Sequence, residues 1–445
     1  MNSNSTKIRQ FLESAFAVFT LQIAAGGILT LFRKASLQNA GFTTALTAKA
    51  DGNPLTQKIW FLIYLITFCL MALRWRQALE ALKRDRLLLA LLGLAIASAL
   101  WSTAPSITLR RSIGLAGSAA FGIYLTSRFS SREILRLVIW TLGIGTVLSF
   151  VYAIAIPDFG IMTGVHAGAW RGIYGHKNAL GRLMVINVGS LLLFKPRTYY
   201  GRFVKWTLIA LATALILLST SKTALVCLCL LPIFISLYQI LQWRSKLAIP
   251  AAIGIILVNG TLATLILANL ETIVVEKLGR NLTFSGRAYL WEAAVHTIGN
   301  KPFLGHGYGG FWLGFKGPSA ELIKLIDWEG APNSHNGFLD LGLQLGLIGL
   351  GLFLVVTILN FYQAAVRISK TKSKEELWPL LMLTLLVIYN CMESSLPQRN
   401  GFFWVLYVIV VFARPAVYLY QAKTSSLSSS SSTSTQTELI NYSPQ

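Results

Sequence analysis

His335 is the residue whose type and setting most suggest chemistry. It sits in Asn333-Ser334-His335-Asn336, where a long stretch of mixed polarity, roughly 269–334, gives way to an apolar run. An imidazole titrates near neutrality, which suits it to take a proton from a hydroxyl, and Asp340 and Glu393 are the carboxylates placed to orient it. The other informative side chains are cations at the ends of apolar segments: Arg171, Lys177, Lys222, Arg287 and Arg399, with Arg110, Arg111 and Arg182 close by. Charges at such boundaries either snorkel to lipid phosphates or line a cavity for an anion.

Three settings favour the anion. Arg171-Gly172-Ile173-Tyr174-Gly175-His176-Lys177-Asn178 packs two cations and a histidine just before a helix, whose N-terminal N–H groups and dipole attract phosphate. Ser219-Thr220-Ser221-Lys222-Thr223 joins two apolar segments with almost no loop, so Lys222 stays near the boundary. Ser285-Gly286-Arg287 precedes an amphipathic segment, leaving a guanidinium to swing toward a phosphate in a bidentate grip. The constellation is several cations plus one base. No serine or cysteine nucleophile is paired with a base, and no glycosidase-like carboxylate pair or histidine-rich metal site is evident. Neither a metal nor a cofactor is expected.

These residues must be positioned by a membrane body. Of 445 residues 54% are hydrophobic and 13% charged, half the charged share of a soluble domain, so the chain reads as all-α and polytopic. About twelve spans are predicted, beginning near Phe11, Ile59, Leu87, Ile107, Ile134, Ala179, Val204, Ala224, Leu247, His335, Leu377 and Phe402. The first follows Lys7 and Arg9, lacks an Ala-x-Ala site and is followed by Arg33-Lys34, so a retained helix is expected rather than a signal peptide. Short loops crowded with Arg74, Arg76, Lys83, Arg84 and Arg86, with Lys195, Arg197, Arg202 and Lys205, and with Arg367, Lys370, Lys372 and Lys374 are assigned to the cytoplasm. The 269–334 loop then faces outward. The net charge of +22 reads as topology and contact with anionic lipid heads; no nucleic-acid-binding motif accompanies it. Cys69, Cys227, Cys229 and Cys391 all fall inside predicted helices, as small apolar residues.

The organisation is one membrane domain, 1–423, and a Ser-rich tail, 424–445, expected to be disordered and cytoplasmic. Within the outer loop, Ser285 is placed to cap a helix running through Ile298, with Leu290, Trp291, Ala294, Val295 and Ile298 as its apolar stripe. A second short helix is predicted over Ala320 to Ile326. Gly305-His306-Gly307-Tyr308-Gly309-Gly310 matches G-x-G-x-x-G in form but has no strand before it and no helix after it. It reads as a tight, flexible loop whose N–H groups are available to a phosphate. Gly342, Gly346 and Gly349 fall at the spacing of close helix packing.

In order along 160–412, Arg-Gly-x-x-Gly-His-Lys-Asn, Ser-Lys-Thr, Ser-Gly-Arg-x-x-x-Trp, Gly-His-Gly-x-Gly-Gly-Phe, Ser-His-Asn-x-x-Leu and Glu393-Ser-Ser-Leu-Pro-x-Arg-Asn resemble the O-antigen ligase and polymerase superfamily of bacterial envelope enzymes. The resemblance implies a glycosyltransferase of the bacterial inner membrane whose periplasmic site moves a glycan from an undecaprenyl-pyrophosphate carrier to a sugar hydroxyl. It implies that Arg171, His176, Lys177, Lys222, Arg287 and Arg399 bind substrate, with Arg171, Lys222 and Arg287 holding the pyrophosphate, and that His335 is the general base. Lys222 stands where ligases commonly show arginine, and Gly172-Ile173-Tyr174-Gly175-His176-Lys177-Asn178 looks closer to the exopolysaccharide-polymerase branch. A polymerase of lipid-linked repeat units making exopolysaccharide or O-antigen is therefore placed first, with a chain-length regulator and a flippase as candidate partners. A ligase delivering finished glycan to lipid A-core or another acceptor is second, and a transporter of polysaccharide or lipid third.

Overall fold

A computed structural model describes residues 3–27, 54–240, 242, 287–314, 317–325, 333–371 and 373–413. The span expected from Leu247, the cap at Ser285, residues 269–286 and the tail 424–445 lie outside them. The described residues are helical throughout, with an isolated bridge between Ile161 and Trp170 as their only β pairing. In chain order the principal helices are α1 (Ser3–Ala25), α2 (Pro54–Ala72), α3 (Trp75–Leu82), α4 (Arg86–Ala97), α5 (Pro105–Arg128), α6 (Ser131–Ala155) and α7 (Lys177–Leu193). They continue as α8 (Tyr199–Ser219), α9 (Lys222–Ile240), α10 (Arg287–Asn300), α11 (Ser319–Leu325), α12 (Gly337–Ser369), α13 (Trp378–Met392) and α14 (Phe402–Phe412).

Eleven of the twelve predicted starts fall on or beside these helices. Six helices, α2, α6, α8, α9, α12 and the segment Lys374–Met392, are long and apolar enough to cross a membrane; α4 with its 3-10 extension and α14 are shorter apolar helices. Helix α1 is not among the six, because Lys7, Arg9 and Glu13 dilute its apolar run.

Local chemistry fixes several starts. The Asp85 side chain caps α4, Thr198 caps α8, and Ser130 with Glu133 forms a reciprocal capping box on α6. The centre is built on α14, buried along its length, with α13, α7 and the second half of α5 around it. Trp404 Nε1 donates to the Leu115 carbonyl inside this packing, at 3.1 Å. Helices α2, α8 and α9 are apolar but mostly uncovered, as lipid-facing helices are.

The chain sorts its charges by end. Arg84 reaches the Phe412 carbonyl, Arg367 the Ala413 carbonyl, and Arg132 pairs with Glu375, all at the end where α5 finishes in Arg128. Residues 171–178, 220–222, 333–337 and 393–400 gather at the other end, with Asn400 N donating to Ser118 Oγ and the Arg399 side chain packed beside Gly114. Helix α13, 15 residues and about 22 Å long, runs from the Glu375 end to Glu393, so the two groups lie at opposite ends of the bundle.

Helix α12 contains the least expected feature. At Gly346, φ 63° and ψ −167° interrupt it, leaving a short segment 337–345 ahead of a long one. Buried backbone groups freed by such a break need partners. His306 N donates to the Leu343 carbonyl at 3.0 Å and Gly307 N to the Gln344 carbonyl at 2.9 Å; Leu347 N donates to the Pro302 carbonyl at 2.6 Å.

This overturns two expectations. The glycine-rich loop is buried, and its donors are taken: Tyr308 N by Ser98 Oγ, Gly309 N by Gln344 Oε1 and Gly310 N by the Gly307 carbonyl. His306, Gly307 and Gly309 serve the broken helix, Tyr308 and Gly310 are bonded elsewhere, and none of these donors is left for a phosphate. Gly346 is a helix break, whereas Gly342 does pack closely, against Ile298 of α10.

Candidate active site

Glu393 gathers the site. It follows α13 directly, with its Oε2 3.3 Å from His335 Nδ1 and its Oε1 3.3 Å from Arg287 Nη2 and 3.1 Å from Asn178 Nδ2. Three chain segments far apart in sequence thus meet on one carboxylate. Burial alone would raise the Glu393 carboxyl, but the hydrogen bond from His335 and the charges of His335, Arg287 and Arg182 hold it down at about 2. It is an anion throughout the physiological range.

His335 is held in a left-handed backbone conformation, φ 52°, which costs a residue bearing a Cβ about 1–3 kcal/mol. Neighbouring bonds keep it there. His335 N donates to Asn333 Oδ1 at 3.0 Å, Ser334 N to Asp340 Oδ1 at 3.0 Å, and Trp291 Nε1 of α10 to the Ser334 carbonyl at 2.9 Å. The Asn336 side chain caps α12 by accepting from Phe338 N and Leu339 N. Thr220 and Asn400 are the other non-glycine residues with positive φ among those described, and both lie in loops of this end. Strain of this kind concentrates where function demands a fixed geometry.

Asn390 ties the two halves together. Its Oδ1 accepts from Ser395 N at 3.2 Å and Leu396 N at 2.8 Å, shaping the turn after Glu393. That same oxygen lies where a Cβ on Gly337 would be, 1.9 Å away, so the start of α12 seats directly on Asn390. The spacing between His335 and Glu393 is therefore set by Gly337 and Asn390.

The predicted cations are distributed as follows. Arg287 is engaged by the protein: Nη1 donates to the Met392 carbonyl at 2.7 Å and Nη2 faces Glu393, so the fork expected to swing toward a phosphate is fixed beside His335 instead. Lys177 Nζ meets Thr220 Oγ1 at 3.2 Å, and Lys222 is exposed at the start of α9 two residues on. His176 caps α7; its Nδ1 accepts from Asn178 N, a bond that assigns the other nitrogen as the protonated one. Burial first, then the charges of His166, Lys177 and Arg182, push the His176 imidazole below its ordinary value.

Arg171 Nε donates to the Phe159 carbonyl at 2.8 Å, seven residues before Asn178. Arg399 lies six residues beyond Glu393, its N–H donating to the Tyr308 hydroxyl at 3.1 Å. Asp340, expected as one of two orienting carboxylates, accepts from Trp312 Nε1 at 2.9 Å and from Ser334 N, and so braces the loop carrying His335.

Sequence reasoning gave no site role to Asn178, Asn390 or Trp291, the last placed only on the apolar stripe of α10 and in the Ser-Gly-Arg-x-x-x-Trp motif. Asn178 stood inside a motif already singled out, but amides carry no charge signal; Asn390 and Trp291 lie inside helices, where the pattern reads as packing. Val295, expected on the apolar stripe of α10, is 59% exposed, while Leu290 and Ala294 are fully buried.

Residues 207–354 match the model of a family described as O-antigen ligase. The chain is 24% identical over 273 residues to the exopolysaccharide production protein ExoQ of Rhizobium meliloti (strain 1021), covering 59% of this chain and 61% of that protein. It thus spans under two thirds of that relative's length. The matched segment runs from α8 to the middle of α12 and carries Lys222, Arg287 and His335, so this apolar, helical chain is similar over that stretch to O-antigen ligases.

Proposed function

We propose that the protein is a membrane glycosyltransferase that polymerises undecaprenyl-pyrophosphate-linked repeat units into exopolysaccharide or O-antigen at the outer face of the bacterial inner membrane. The observation that carries this reading is the convergence of His335, Arg287 and Asn178 on Glu393 at the polar end. Glu393 accepts the Nδ1 proton of His335, which leaves Nε2 as the basic nitrogen, in the manner of carboxylate-oriented histidines. Nε2 takes the proton of an acceptor sugar hydroxyl as its oxygen attacks the anomeric carbon of the donor glycan. The bond from that carbon to the pyrophosphate oxygen breaks, its electron pair leaves with undecaprenyl pyrophosphate, and configuration inverts.

Negative charge grows on the departing pyrophosphate, so fixed cations lower the barrier. Arg287 supplies a charge beside the base, and Arg171, His176, Lys177, Lys222 and Arg399 supply donors around it. The relative's role in exopolysaccharide production supports polymerisation. The family description supports the ligase reading, transfer of a finished glycan to a lipid A-core acceptor.

The two are separated by what accumulates in cells lacking the protein. Single lipid-linked repeat units, restored to polymer by the wild-type gene, are expected of a polymerase. Finished lipid-linked chains would replace this reading with the ligase, and unchanged glycan would reject both.

A further inference from the structure

At the end opposite His335, three guanidinium groups converge on the buried carboxylate of Glu13. Arg9 Nε lies 3.0 Å from Oε1, Arg74 Nη2 lies 3.1 Å from the same oxygen, and Arg128 Nε is bonded to Oε2. They come from α1, from the residue preceding α3, and from the last turn of α5. Three positive charges against one negative leave an excess of two, and the groups are partly withdrawn from water: the side chains of Arg74 and Arg128 are 20% and 17% exposed. Each guanidinium has five N–H donors, far more than one carboxylate can accept, and Arg74 Nε is buried with no hydrogen-bond partner among the described residues.

The cluster opens onto apolar surface. Phe11 and Leu12 of α1, Leu73 and Trp75 beside Arg74, and Leu79 of α3 are all exposed. Helix α3 is short, with Ala78 and Ala81 turned inward and Arg76, Leu79 and Glu80 turned out, the composition of a helix lying in a membrane interface. Trp75 beneath the Arg76 guanidinium is the amphipathic ring expected at headgroup depth.

We propose that Arg9, Arg74 and Arg128 form a site for the phosphate headgroup of an anionic phospholipid, whose acyl chains lie along Phe11, Leu12, Trp75 and Leu79. Guanidinium groups match phosphate oxygens in pairs, and basic pockets between helices on this kind of face take anionic lipid heads. Glu13 then offsets one of the three charges and leaves a surplus of two for the headgroup. The site is independent of the glycan chemistry proposed above.

The test is lipid binding by the full-length purified protein, measured as bound lipid by native mass spectrometry and as a shift in Tm. Cardiolipin, phosphatidylethanolamine and inorganic phosphate are compared. Retention of cardiolipin and a raised Tm with cardiolipin alone are expected. Arg74→Gln and Arg128→Gln should each weaken cardiolipin binding roughly fivefold.

Glu13→Gln separates a lipid site from a purely structural ion cluster. It raises the charge excess from two to three, so cardiolipin binding should hold or tighten in that variant. Lost binding in Glu13→Gln, binding unchanged in both arginine variants, or equal stabilisation by phosphatidylethanolamine or inorganic phosphate would overturn the proposal.

Discussion

His335 and Glu393 are 3.3 Å apart, and the work assigned to each can be separated by substitution. His335→Ala should abolish glycan transfer while protein level and binding of the lipid-linked donor persist; normal transfer in that variant would remove the base assignment. Glu393→Gln keeps the shape but loses the charge that orients the imidazole, so turnover should fall roughly 10²-fold with less effect on donor binding, measured as kcat against KM. The same variant has a stability signature. Because Glu393 sits near 2 in the folded protein, below its ordinary 4.5, its pairing contributes stability above pH 4.5 and loses it as pH falls toward 2. The contribution is of order 3 kcal/mol, and thermal unfolding across pH should show this acid limb in the wild type and its loss in Glu393→Gln. Arg287→Lys retains a charge but cannot span the Met392 carbonyl and Glu393 together, so the His335–Glu393 pair loosens and turnover should fall more than donor affinity, measured as kcat against KM.

Among the elements, α12 carries the most consequential geometry. Gly346→Ala would place a Cβ in a left-handed conformation 2.2 Å from the Phe303 carbonyl, and should lower stability by about 2 kcal/mol or more, read as a fall in Tm. Gly337→Ala would push the start of α12 off Asn390 and should reduce turnover with a smaller loss in Tm, since it alters the His335–Glu393 spacing more than the core.

Hydrophobic runs made the helix starts legible from sequence to within a few residues, from Ile134 on α6 to His335 on α12. They did not reveal the break at Gly346, because a glycine between leucines reads equally as a packing position. Nor did they reveal where the glycine-rich loop goes, since the Leu343 and Gln344 carbonyls that accept from it are made available only by the break. In the site, His335 and Glu393 stood out through charge in an apolar setting, and Asn178 and Asn390 did not, because an amide's role depends on what lies opposite it.

For the whole molecule, the separation of charged groups to opposite ends predicts opposite accessibility. In a background lacking Cys69, Cys227, Cys229 and Cys391, a cysteine replacing Lys222 should react with a membrane-impermeant maleimide in intact spheroplasts. One replacing Lys83 should react only after lysis; the reverse pattern would invert the orientation and place the site in the cytoplasm. The central claim, that this end transfers glycan with His335 as base, is tested most directly by electrophoresis of the products of purified wild-type and His335→Ala protein in liposomes given a lipid-linked repeat unit. A ladder from the wild type without any added acceptor, absent in the variant, is the predicted result. A ladder of equal yield from His335→Ala, or none from folded wild-type protein supplied with its own repeat unit, would contradict it.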